Sequence, residues 1–214
     1  RYLRFKEDVL MTKPLLKYFL ASMMLMTFGA NFVVADDSDP VTVSHGYSFF
    51  GDLKYPSDFA HLEYVNPTAP KGGEISLWGF GTFDSFNGYA RKGNSASLSS
   101  APYETILTSF ADDLTSSYCY LCKTLEYPES RNWAIFNLRE DITFSDGSRL
   151  TADDVKFTFE LFMDQGIPSY RAAVSGMVET IDVIDPFKIK FTFAADAPRR
   201  DVIDLAGGIP VFSK

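Results

Sequence analysis

Apolar and polar positions change rhythm several times along the chain, and each change marks an element. From Tyr18 to Ala35 the side chains are almost all apolar or small, with Ser22, Thr27 and Asn31 as polar interruptions. From Val41 to Thr68 aromatic and turn-forming residues mix without a sustained period, so 36–70 is expected to be an irregular lead-in. Pro70-Lys71-Gly72-Gly73 breaks structure. Ile75, Leu77 and Phe80 then alternate loosely, which predicts a strand over 74–80 entering a buried sheet. Gly79, Gly81 and Gly88 make 79–94 a loop. Pro102 suits only a first helical turn, so Ser99 or Ser100 is expected to cap a helix running through Tyr103 to Phe110.

The second half is more regular. Trp133 to Arg139 is apolar at both alternating sets of positions, which predicts a strand covered on each side; Ile142 to Phe144 resumes it, and Asp146-Gly147 turns the chain. Thr151-Ala152-Asp153-Asp154 has the form of a capping box, with two acids at the positive end of the helix it starts. Ala152, Val155, Phe159 and Phe162 recur at helical spacing, and Gly166 and Pro168 end the run. Ile181 and Val183 form a strand, Asp185-Pro186 a turn, and Phe187, Ile189, Phe191 and Phe193 alternate with polar residues, a hairpin with one wet face. Strands and helices are mixed, so the class is α/β or α+β.

The apolar run near the start follows Met11, Lys13 and Lys17 and precedes Val33-Val34-Ala35 and the acidic stretch Asp36 to Asp39. That layout predicts a secretory signal peptide over 11–35, cleaved after Ala35, with 1–10 as upstream sequence. A spanning helix needs roughly 20 apolar residues, and Ser22, Thr27, Gly29 and Asn31 weaken that alternative. The absence of a cysteine near the cleavage point removes a lipid tether, so the expectation is a soluble periplasmic protein with no stable membrane insertion. Without residues 1–35 the chain keeps 15 basic and 26 acidic residues, a net of −11, which would repel nucleic acid phosphates.

Candidate chemistry is sparse. His45 and His61 are the two histidines, both in the lead-in, and no Gly-x-Ser-x-Gly elbow is present, so triad catalysis has no support. Asp112-Asp113 and Asp153-Asp154 are adjacent pairs that would point about 100° apart on a helix and cannot share a proton. Cys119-Tyr120-Leu121-Cys122 could be a local disulfide, a pair of buried thiols or a redox pair; a zinc site would need a second ligand pair. Ligand binding has some positive support. The loop 79–94 combines exposed backbone, aromatics and polar groups just after the predicted strand, where crevices of open α/β sheets lie.

Several motifs in order carry a resemblance: Pro70-Lys-Gly-Gly73, Gly81-Thr-Phe-Asp-Ser-Phe-Asn87, Tyr103-Glu-Thr-Ile-Leu107, Phe136-Asn-Leu-Arg139, Phe144-Ser-Asp-Gly147 and Leu150-Thr-Ala-Asp-Asp-Val155. Together they resemble the family 5 extracellular solute-binding proteins, the peptide, dipeptide and nickel receptors of ABC importers. Glu126-Tyr-Pro128 and Ile209-Pro-Val211 are similar to the YejA-like branch, which is linked to oligopeptide and microcin C uptake.

The resemblance implies an α/β fold of the type II periplasmic binding proteins, peptide-binding subclass, here incomplete. Residues 71–94 would begin lobe I, 95–205 would form an inserted mixed α+β domain, and 206–214 would return to lobe I. The second lobe would lie beyond this sequence. The implied protein is not an enzyme, has no cofactor or metal, is a monomer, and passes an oligopeptide or peptide-like ligand to ABC transporter permease subunits. Carried over by position, Arg91, Lys92, Gly93 and Asn94 match the segment whose backbone pairs with the peptide in relatives. Tyr170 falls near an aromatic that faces the cleft, and Asp84 and Asn87 belong to the family motif, where either could instead brace its own loop. Two other classes stand beside this one: a secreted hydrolase with its catalytic residues in the missing C-terminal part, and a redox protein built on Cys119 and Cys122.

Overall fold

The computed structural model describes residues 39–89 and 92–214; the upstream segment 1–10, the expected leader 11–35 and Arg91 lie outside the described residues. Eight strands and three helices occur among the described residues, and every strand ladder is antiparallel. In chain order the strands are β1 (Val41–Ser44), β2 (Gly46–Ser48), β3 (Leu107–Phe110), β4 (Asp113–Cys119), β5 (Cys122–Pro128) and β6 (Trp133–Leu138). Helices α1 (Ala152–Gln165) and α2 (Pro168–Val174) follow, then β7 (Val178–Asp185), β8 (Lys188–Phe193) and α3 (Val202–Gly207). A five-stranded sheet runs β1-β5-β6-β8-β7 and a three-stranded sheet runs β2-β4-β3.

The core forms on one face of the five-stranded sheet. Alternation in β6 and β8 turns Ala134, Phe136, Leu138, Ile189, Phe191 and Phe193 to the same side, where they are buried. Ala152, Val155 and Phe159 of α1 bury against that face, with the Phe159 and Phe136 rings each 5.8 Å from Phe191. The opposite face is half-exposed and, Trp133 and Ile135 of β6 apart, carries polar groups: Asn137 donates to Thr124 and Glu126 at 3.0 Å each, and Lys188 reaches Glu126 at 2.8 Å. The strand expected at 133–139 therefore exists, but only one side of it is covered. The Asp185-Pro186 hairpin and the helix after Thr151 stand where the sequence places them. Asp154 closes the capping box by accepting from the Thr151 amide and hydroxyl, both at 2.8 Å.

Three expectations are corrected. The helix expected from Ser99 or Ser100 to Phe110 is absent. Residues 97–102 form turns, and the β-branched run Thr105-Ile106 leads into β3, whose Leu107 pairs with Cys119. No strand forms over 74–80: with no partner strand beside them among the described residues, Ile75, Leu77, Trp78 and Phe80 are 69–89% exposed. The lead-in is not wholly irregular either. β1 pairs with β5, β2 pairs with β4, and Tyr47 is fully buried. Gly46 permits this approach, since a Cβ there would lie 2.8 Å from the Ser117 carbonyl oxygen.

The two sheets meet at a corner where the chain crosses twice. His45 links β1 to β2, and Tyr120-Leu121 links β4 to β5. The Cys119 amide donates to the His45 carbonyl at 2.8 Å, and the Tyr120 and Leu121 amides converge on Ile106 O at 2.9 and 3.3 Å. Cys119 and Cys122 form a disulfide across this corner, one of the readings the sequence left open. Asp112 and Asp113 lie at the β3–β4 turn rather than on a helix. Asp112 accepts from Lys54 Nζ at 2.7 Å and from the Tyr55 hydroxyl at 2.5 Å, and Asp113 accepts from the Tyr118 hydroxyl at 2.5 Å. These bonds fasten the 54–63 segment over the hairpin.

Candidate functional site

The loop 79–94 is closed at its neck by its own polar groups. The Asp84 and Ser85 amides donate to the Asn94 carbonyl at 3.0 and 3.2 Å, and Asp84 Oδ1 accepts from the Asn94 amide at 2.7 Å. Gly93 sits at φ +88°, and a Cβ there would come within 2.5 Å of Asp84 Oδ1, so the neck requires glycine. Asn87 accepts the Tyr89 amide at 2.9 Å, a short turn that presents the Tyr89 ring. Asp84, Gly93 and Asn94 thus brace the loop, and the amide and carbonyl of Asn94 are both engaged within it.

Against this loop lies an open cavity of about 860 Å³. Its walls come from segments distant in sequence: Asn87, Tyr89 and Lys92 from the loop, Tyr103 from the turn before β3, Phe162 and Gln165 from the last turns of α1, and Phe212 from the C-terminal stretch. Tyr89 is the hub of the ring cluster, 5.1 Å from Tyr103, 5.3 Å from Phe212 and 5.7 Å from Phe162. Phe212 is fixed by Thr158, whose hydroxyl accepts the Phe212 amide at 2.8 Å while donating to Asp154 O at 2.7 Å. Burial raises the Tyr89 phenol above its ordinary value, so it stays a neutral hydroxyl near neutral pH.

A second cavity of about 560 Å³ shares Tyr89, Phe162 and Gly166 with the first and is bounded by Tyr170, Leu205 and Ile209, with Asp201 and Asp204 at its margin. The Tyr170 hydroxyl is buried with no hydrogen-bond partner among the described residues. Of the residues proposed from sequence, Asn87 and Lys92 therefore reach the larger cavity and Tyr170 the smaller one, while Arg91 lies outside the described residues. Tyr103, Gln165 and Phe212 were not among them. Phe162 was legible only as a position on the apolar face of a helix.

His45 Nε2 lies 2.9 Å from Tyr55 O and His61 Nδ1 lies 3.0 Å from Leu62 O, so each ring is engaged with backbone. No group of three or more His, Cys, Asp or Glu side chains fit to hold a metal occurs among the described residues. No helix among the described residues is long and apolar enough to cross a membrane.

Comparison with known proteins places these features in a family. Residues 121–213 match the middle region of the bacterial extracellular solute-binding proteins, family 5. The uncharacterized protein YejA of Escherichia coli is 34% identical over 88% of this chain and 31% of its own length. A probable peptide-binding protein YejA of Agrobacterium fabrum is 35% identical over 79% of this chain and 27% of its own length. The chain thus spans under a third of these relatives. Among solved structures, the periplasmic binding protein DppA of Helicobacter pylori in complex with the peptide STSA is 19% identical, with a TM-score of 0.47 over 59% of this chain and 28% of that one.

Proposed function

The chain belongs to the family 5 bacterial extracellular solute-binding proteins, of the YejA type, and from that membership we propose that it is part of the substrate-binding component of an ABC-type oligopeptide importer. In this reading the protein works in the periplasm after removal of the 11–35 leader. It captures a peptide in a cleft without altering it and passes it to the membrane permease. The observation that carries the proposal is the similarity to YejA proteins along 79–88% of the chain, the one matching 79% being named a probable peptide-binding protein. The aromatic cavity beside the 79–94 loop supports it, because a concave, largely apolar wall with a few polar groups suits reversible capture.

Calorimetry on the full-length protein with a set of tri- to hexapeptides tests this, paired with mass analysis of the ligand recovered afterwards. Saturable binding with the peptide returned intact is expected. Recovery of cleaved peptide would replace the receptor by the hydrolase alternative, and no saturable binding by any peptide would remove the peptide from the proposal.

A further inference from the structure

The larger cavity has a charge character opposite to that of the chain. The protein carries a formal net charge of −8, yet no carboxylate lines this cavity among the described residues, and the charged side chain there is Lys92. Asn87 already uses Oδ1 to accept the Tyr89 amide, so the end of that side chain left for a ligand is its NH2 donor. Gln165 adds a second amide at the helix end, and the half-buried Tyr89 phenol retains its proton. The polar equipment is therefore weighted towards donors, set against the rings of Tyr89, Tyr103, Phe162 and Phe212.

A cage of aromatic rings alone would attract a cation through the negative faces of the rings. The Lys92 ammonium reverses that preference. An exposed ammonium on the lining of a concavity with aromatic walls, in an otherwise acidic protein, concentrates anions there. We infer that this cavity takes ligands carrying a carboxylate beside an aromatic or bulky apolar group, with the carboxylate on Lys92 and Asn87 and the apolar group against Tyr89, Phe162 and Phe212. The inference rests on the solute-binding role proposed above and narrows it: a peptide ending in an aromatic residue with a free C-terminus meets the requirement, and its C-terminal amide does not.

Four probes test this on the full-length protein by calorimetry or ligand-observed NMR: the tripeptide Ala-Ala-Phe, its C-terminal amide, 3-phenylpropionate and 3-phenylpropionamide. Each acid should bind more tightly than its amide by on the order of tenfold, the worth of a hydrogen bond to a charged group. Lys92→Gln should erase that difference while leaving the amides unchanged, and added salt should weaken only the acids. Equal binding of acid and amide by the unaltered protein would overturn the inference, as would a Lys92→Gln variant that weakens both alike. Binding of phenylpropionate through Lys92 with no binding of either tripeptide would sustain the inference, and the peptide reading would then fall only if the tri- to hexapeptide set fails as well. Failure of all four probes would overturn the inference, while saturable binding of any longer peptide would keep the proposed role.

Discussion

Thr158 has no exposure to solvent, and its one hydroxyl serves two partners, donating to the Asp154 carbonyl and accepting the Phe212 amide. The same stretch is held a second time where Asp154 Oδ1 accepts the Lys214 amide at 2.9 Å. These bonds join the first turns of α1 to the C-terminal stretch and so set the Phe212 ring in the cavity wall. Valine has nearly the shape of threonine but cannot accept, so Thr158→Val leaves the Phe212 amide without its partner. The variant should lose about 1–3 kcal/mol in urea denaturation, the cost of orphaning a buried donor. Thr158→Ser keeps the hydroxyl and should lose less. A valine variant as stable as the parent would mean that the hydroxyl does not hold the C-terminal stretch. Asn87 and Asp84 show the same economy at the surface, where a single side-chain oxygen fixes each turn of the 79–94 loop.

At the scale of elements, the wet face of the five-stranded sheet is tied across three neighbouring strands, with Asn137 on β6 and Lys188 on β8 both donating to Glu126 on β5. The Lys188 ammonium, helped by Asn137 and opposed by burial, holds the Glu126 carboxyl below the usual carboxylate range. A carboxyl depressed on folding stabilises the native state fully above its unfolded value of about 4.3 and loses that contribution as pH falls through the folded value. Glu126→Gln should therefore cost about 1 kcal/mol at neutral pH, and the gap from the parent should close as pH drops below about 4. Denaturation midpoints across pH 3–7 read it directly, and a gap independent of pH would discount the ion pair. This face was legible in part: the alternation of β8 announced a half-wet hairpin, whereas the apolar Trp133 and Ile135 of β6 suggested cover on both sides. α1 was legible because its cap, its period and its terminating Gly166 agree. The segment before β3 was not. Ser99, Ser100 and Pro102 imitate a helix start, while the pairing of Leu107 with Cys119, which decides the matter, lies across a hairpin. β1 and β2, of four and three residues, are too short to display a period.

At the scale of the whole molecule, the corner between the two sheets is crossed by β1–β2 and by β4–β5 and clipped by Cys119–Cys122. A disulfide closing so short a loop removes little freedom from the unfolded chain, so replacing both cysteines by serine should cost about 2 kcal/mol. In the proposed receptor role, ligand binding by that variant should match the parent once folded, and its loss from a variant shown to be folded would revive a redox role for the pair. The candidate site belongs to this scale as well, which explains why so little of it could be read in advance. Its loop was conspicuous in sequence, but the wall joins Tyr89, Tyr103, Phe162 and Phe212, brought together only by the fold. The exposed segment 75–80 gives the molecule an optical asymmetry. Of its two tryptophans, Trp78 is 85% exposed, while Trp133 is half-buried with the Lys190 ammonium 5.3 Å from its ring. Iodide or acrylamide will quench the emission of Trp78 first, and any surface that closes over this segment will announce itself as a blue shift, without a label.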